Sequence, residues 1–160
     1  MRSYKLEGYS IARVWTKECP VTGHTPYEGT IIEISIPRGG MCEYGLLGGT
    51  LQNRHTGLFD VVIPLAGIVW DVSLVKEIDT VRTGLPAEYS AAIVVAAEQR
   101  AAESKLMQDV QFDCACHGQV GSSSRLFGRL ACAVVSILAD PSIAEDDEQM
   151  KVLLEEVRTS

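Results

Sequence analysis

The segment Pro37–Pro64, PRGGMCEYGLLGGTLQNRHTGLFDVVIP, sets the reading of the whole chain. Pro37-Arg38-Gly39-Gly40 ends a strand in a turn, because proline fixes φ and glycine opens positive φ. Gly45, Gly48 and Gly49 follow in a small-residue segment that admits either a helix or a loop, each glycine costing a helix about 1 kcal/mol. Small residues also let another backbone or a flat ligand approach closely. Gln52-Asn53-Arg54-His55 forms a polar knot, after which Leu58 to Ile63 re-enter the interior as a strand. A basic, amide-rich turn between buried elements is a usual place for a binding site.

Working outward, residues 1–8 read as frayed, and Tyr9 to Trp15 alternates at period two, a half-buried strand with Ile11 inward. Arg13 shares that parity and turns outward only if a bulge or an edge shifts the pattern. Lys17 to Gly29 carries two prolines and two glycines and reads as a loop containing His24. Thr30 to Ile36 is the next strand, with Glu33 set among apolar neighbours, either turned to solvent or held for a purpose. Beyond the opening segment, Leu65-Ala66-Gly67 turns the chain and Val72 to Ile78 reads as a strand carrying Lys76.

Thr83 to Pro86 is a helix entry, since proline is tolerated in a first turn. Ala87 to Ser104, with Ile93, Val94, Ala97 and Ala101 at helical spacing, is a buried helix. Leu106 to Cys116 contains a fifth strand. Ser122 to Ser124 offer N-caps to a helix ending near Ala139 before Pro141. A last amphipathic helix starts at the capping box Ser142-Ile-Ala-Glu145 and runs through Leu153 and Val157. The order β-β-α-β-β-α-β-α-α predicts one domain over 1–160, an α/β (α+β) two-layer sandwich of one mixed sheet covered by helices.

Composition narrows the function classes. A chain of 160 residues with 46% hydrophobic and 22% charged residues can bury a real core and is not a disordered segment. So low a charge density leaves apolar surface that favours association of copies. A net charge of −7 without a basic run disfavours nucleic acid. No apolar run reaches the roughly 18–20 residues of a membrane span and no signal-peptide pattern opens the chain, so a cytoplasmic protein is expected. Five cysteines at irregular spacings read as reduced thiols.

The central segment resembles the formaldehyde-activating enzymes, which condense formaldehyde with tetrahydromethanopterin. Pro37, Arg38, Gly39, Glu43, Gly49, Asn53 and His55 match that family's motif without a gap. Lys76 and the Pro86-Ala87 helix start also fall where the family has a Lys and a Pro-Ala-Gln. The likeness runs from about Tyr9 to Pro141. It implies a two-layer fold of the kind found in ribosomal proteins and elongation factors. It also implies a ring-like homo-oligomer, possibly a pentamer, with its sites between subunits.

For chemistry, the resemblance implies a carbon–oxygen lyase (hydro-lyase) of one-carbon metabolism that binds formaldehyde and a tetrahydromethanopterin-like pterin as co-substrate, with no metal. Loss of water from the carbinolamine intermediate is helped by a general acid titrating near neutrality. The family places a His two residues before an Asp on the strand leading into Pro-Arg-Gly. Here Glu33 replaces that Asp and Ile31 stands at the His; an ungapped count puts Thr30 and Ile32 at those positions instead. Glu33 could serve as the acid if burial raised its pKa, or it could be an ordinary strand carboxylate. His55 is the other catalytic candidate, against a local hydrogen-bonding role.

The family's pterin contacts carry over to Glu33, Val61, Lys76, Ile78 and Glu88. Ile78 replaces a Thr and loses a hydroxyl, while Glu88 replaces a Gln and exchanges a donor for an acceptor. The alternative implied by the missing His is a paralogue that binds or senses pterin or formaldehyde without turnover. The joint expectation is that the two polar corners around the glycine-rich segment close over a flat heterocycle at a contact between neighbouring copies.

Cys114-Ala-Cys116-His117 is one residue short of the haem-attachment spacing. On a strand, Cys114 and Cys116 point to one face, and only Cys19, Cys42 or Cys132 could complete a tetrahedral metal set with them. The favoured reading is a reduced pair at the core and rim. Gly39 to Gly49 lacks the Lys-Ser/Thr ending of a phosphate loop.

Overall fold

In the computed structural model, residues 1–23, 25–63 and 67–159 are described. The strands are β1 (Arg2–Lys5), β2 (Ile11–Trp15), β3 (Gly29–Arg38), β4 (Met41–Leu51), β5 (Phe59–Val61), β6 (Val81–Thr83) and β7 (Val110–Gly118). The helices are α1 (Ser90–Glu103), α2 (Ser124–Ala139) and α3 (Asp147–Thr159), with short 3-10 turns at Glu7–Tyr9, Ala87–Tyr89 and Pro141–Glu145.

The hairpin β3–β4 is the centre of the molecule. Pro37 pairs with Cys42 and Arg38 with Met41, and Gly39 takes φ 63° at the turn, a conformation that costs glycine little. β3 is buried on both faces from Gly29 to Ile36, which explains its richness in isoleucine, and Thr30, Glu33 and Ser35 are buried with it. Burying a side chain such as Ile32 or Ile34 contributes about 1.5–3 kcal/mol.

The glycine-rich segment, expected as helix or loop, is instead the central strand β4. A Cβ on Gly48 would lie 2.5 Å from Ile31 Cγ1, and one on Gly45 would lie 2.8 Å from Leu130 Cδ1. Neighbouring side chains therefore press onto the β4 backbone from both layers. Close packing there outweighs the weak strand preference of glycine.

The sheet runs β1-β2-β3-β4-β7-β5, with β6 on the other half of the β7 edge. Only β5–β7 is parallel, so the sheet is mixed. Between Gly48 and Gly49 the β4–β7 register slips past Asp113, a bulge that changes which face the later residues of β7 address. One face packs on α1, α2 and α3 through Ala12, Val14, Ile32, Ile34, Leu47, Phe112 and their helical partners. This is an α+β two-layer sandwich. The opposite face holds a smaller cluster that includes Trp15, Ile31, Tyr44, Leu46, Trp70, Val75, Cys114 and Cys116. Chain segments 16–28 and 67–80 contribute to that cluster through Cys19, Val21, Trp70 and Val75.

Several local expectations change. Residues 2–5 are a paired strand, not a frayed end, and Tyr4 is buried with its hydroxyl donating to Asp147. β2 begins at Ile11, which points outward, while Ala12 and Val14 face the helices; Tyr9 lies in the preceding turn at φ 60°. Val72 to Ile78 is a series of turns, closed by bonds from the Ile78 and Asp79 amides to the Val75 carbonyl. The pairing on that edge of β7 is made by Val81–Thr83, so Thr83, expected to open the helix entry, ends a strand instead.

The loop read over 17–29 holds for the described residues 17–23 and 25–28, with Gly29 already in β3, and the buried face Ile93-Ala97-Ala101 of α1 and the Ser123 cap of α2 agree with the sequence reading. α3 does not start from Ser142-Glu145, which forms a 3-10 turn. Its first amides are capped by Asp146, whose carboxylate accepts from Glu148 N and Gln149 N. The expected turn at Leu65-Ala66 and the residue His24 lie outside the described residues. No helix of the described residues is long and apolar enough to cross a membrane.

Candidate functional site

Glu33 is fully buried on the face of the sheet opposite the helices. It pairs across the sheet with Arg13, whose Nε lies 2.5 Å from Oε1. Tyr44 Oη donates to Oε2 at 2.7 Å, and the Leu74 amide donates to the same oxygen at 3.1 Å. Arg13 in turn donates to the Val72 carbonyl and lies over the rings of Trp15 and Trp70. A carboxylate with these donors is the anchor that fastens segment 70–75 to the sheet. Burial and the Glu33 charge both push the Tyr44 phenol well up, and the same two causes raise the Cys116 thiol.

The two polar corners lie at opposite ends of β4. Met41 to Leu51 is a continuous strand, so the corners stand about 33 Å apart at the usual rise per residue. The expectation that they close over one ligand therefore fails within a single chain.

At one end, Asp109, buried at the start of β7, organises the 52–58 knot. It accepts from Thr56 N, Thr56 Oγ1, Gly57 N and Leu58 N, with Arg54 3.7 Å away. The Thr56 hydroxyl, then the backbone amides, hold its carboxyl below the usual range against the opposing effect of desolvation. His55 is exposed on this loop.

At the other end, Pro37, Gly39, Gly40, Met41 and Cys42 of the hairpin face Ile78, Asp79, Val120 and Gly121 across a cleft of about 240 Å³. Asp79 fixes the far wall by accepting from Val120 N and Gly121 N. Carboxylate oxygens offer about four lone-pair sites, so Asp79 retains acceptor capacity toward a ligand. Arg38 turns away from the cleft, to Glu43 and the Arg158 carbonyl.

The sequence-derived contacts are thus dispersed. Glu33 is buried against Arg13, Tyr44 and the Leu74 amide; Val61 packs on the helical core; Lys76 and Glu88 are exposed; Ile78 alone joins the Pro-Arg-Gly turn at one cleft. Sequence reasoning missed Arg13, Tyr44, Asp79 and Asp109. Only Arg13 left a signal, as a charge facing Glu33 once the two strands are set in register.

Cys114 and Cys116 do share a face, since both belong to the cluster opposite the helices. Strand alternation turns His117 away from them, and its Nδ1 donates to the Gly84 carbonyl. Among the described residues, no group of three or more His, Cys, Asp or Glu is disposed to hold a metal ion. Scans against protein families, curated proteins and solved structures find no match to this chain.

Proposed function

We propose that the chain is a binding protein for a reduced pterin or its formaldehyde adduct, and not a catalyst of their condensation. The carrying observation is the cleft at the Pro37–Met41 turn, where Ile78 and Asp79 meet a matched corner. A 2-amino-4-oxo ring offers adjacent N–H donors, for which the Asp79 carboxylate is the fitting acceptor. Met41 and Ile78, both exposed, supply apolar contact for its faces. The volume suits a bicyclic head group and leaves the tail in solvent.

Turnover lacks support because the expected proton donor has no His, and Glu33 is committed to Arg13, Tyr44 and Leu74. The exposed apolar residues Ile68, Val69, Val72 and Ile78 support self-association, and Ile78 also lines the cleft. A reducing, cytoplasmic setting suits the free thiols.

Calorimetric titration with tetrahydromethanopterin, paired with the rate of methylene-pterin formation from added formaldehyde, tests this reading. Expected are saturable binding, roughly 10-fold weaker in Asp79→Asn from loss of one charged acceptor, and no acceleration over the spontaneous rate. Circular dichroism checks that the variant keeps its fold. Absence of binding to the wild-type protein overturns the reading, and acceleration that disappears in His55→Ala restores the lyase.

A further inference from the structure

Cys19, on the loop between β2 and β3, places its sulfur 3.6 Å from that of Cys114 on β7. The two lie 95 residues apart in sequence and are both nearly buried, at 4% and 6% exposure. Both belong to the cluster that holds Trp15, Ile31, Val21 and Tyr27, and among the described residues no group of three or more His, Cys, Asp or Glu is disposed to hold a metal ion. Neither residue takes part in the cleft at Asp79.

We propose that Cys19 and Cys114 are a redox modification site, in which a peroxide converts two thiols into an intramolecular disulfide that fastens the 16–28 segment to β7.

The 3.6 Å contact admits either sulfur as donor, and the electrostatics of the pair favour Cys114 in that role. The contact with Cys114, joined by bonds from Thr22 and the neighbouring backbone, outweighs burial at Cys19 and lowers its pKa to about 5. The Cys114 thiol is pushed up by the same contact and by burial. The thiolate is the nucleophile, so Cys19 reacts first. Its sulfur attacks one peroxide oxygen, the O–O bond breaks, and the departing hydroxide takes a proton to become water, leaving Cys19 as a sulfenic acid.

The Cys114 sulfur then attacks the Cys19 sulfur. The S–O bond breaks, the Cys114 proton leaves with the hydroxide as a second water, and the S–S bond forms. Two thiols and one hydrogen peroxide give one disulfide and two waters; the sulfurs lose two electrons and the peroxide gains them. A dithiol reductant reverses the bond by exchange.

The bulge at Asp113 makes this juxtaposition possible. Phe112 faces the helices and Cys114 the opposite cluster, so the slip in register presents Cys114 to the loop. Tyr27, on the same loop, donates to Asp113 at 2.6 Å and holds that loop over the bulge.

The test treats the folded full chain with hydrogen peroxide, then counts thiols by alkylation after unfolding. The protein starts with five free cysteines, and the expected product has lost two. Peptide mapping joins the Cys19 and Cys114 peptides, dithiothreitol restores all thiols, and the oxidised protein melts at a higher temperature. Cys114→Ser stops at a Cys19 sulfenic acid trapped by dimedone, and Cys132→Ser oxidises like the wild type. Retention of all thiols, a cross-link between other cysteines, or a bond between chains overturns the proposal. The wild-type peptide map decides the matter even if Cys114→Ser fails to fold.

Discussion

Arg13 and Glu33 occupy directly opposed positions of the antiparallel pair β2–β3, and the guanidinium Nε reaches the carboxylate at 2.5 Å on the face away from the helices. Glu33 is wholly buried and Arg13 is 19% exposed, so the pair acts as an internal clasp between the sheet and the 70–75 segment.

Removing one partner of such a pair strands the other. Glu33→Ala and Arg13→Ala should each cost about 3–5 kcal/mol in urea denaturation, while a joint Arg13→Met/Glu33→Leu change should recover most of the loss. A change of under about 1 kcal/mol in both single variants would contradict the clasp.

Asp109 gives stability a defined acid limb. Its folded pKa lies below the ordinary value, so folding favours the ionised form. That contribution is fully present above the unfolded pKa near 3.9 and is lost as pH falls through the folded value. The urea midpoint of the wild type should exceed that of Asp109→Asn by a constant margin at about pH 5–7, and the margin should shrink below about pH 4. A margin unchanged down to about pH 3 would refute the assignment.

Two glycines in close contact with neighbouring backbone, at the start of β3 and in the turn after β7, should resist substitution for steric reasons. An alanine Cβ at Gly29 would stand 2.3 Å from the Gly49 carbonyl oxygen, and one at Gly121 would stand 2.0 Å from that of Cys42. Each substitution should lose at least about 1–3 kcal/mol. Gly40→Ala meets open space and should stay within about 0.5 kcal/mol of wild type. Thermal unfolding of the three variants checks the contrast.

Helix caps separate what local motif and actual geometry assign. Ser123→Ala removes the acceptor for the Leu126 amide and should cost about 1 kcal/mol. Asp146→Ala should speed hydrogen exchange in the first turn of α3, whereas Ser142→Ala should leave that turn unchanged. The opposite ranking would reinstate the capping box at Ser142.

Elements whose cause is local were legible. The spacing of Ile93, Ala97 and Ala101, the cap at Ser123 and the isoleucine-rich run of β3 each depend on a few adjacent residues. Val72 to Ile78 misled because its Val, Leu and Ile content suits a strand, yet Glu33 captures the Leu74 amide and the segment folds as turns over the sheet. Of the candidate site, the Pro-Arg-Gly turn and Ile78 were legible as neighbours of one cleft. Asp79 was not, since nothing in its local sequence indicates the Val120 and Gly121 amides it binds.

By itself the amino-acid order determined the class of the fold and its helical layer, because periodicity, capping and composition act over a few residues. Tertiary structure alone decided that a glycine-rich segment would be the central strand, that two polar turns would sit at its opposite ends, and that Cys19 would meet Cys114. Those outcomes depend on packing and strand register between residues far apart in the chain, and no local preference encodes them.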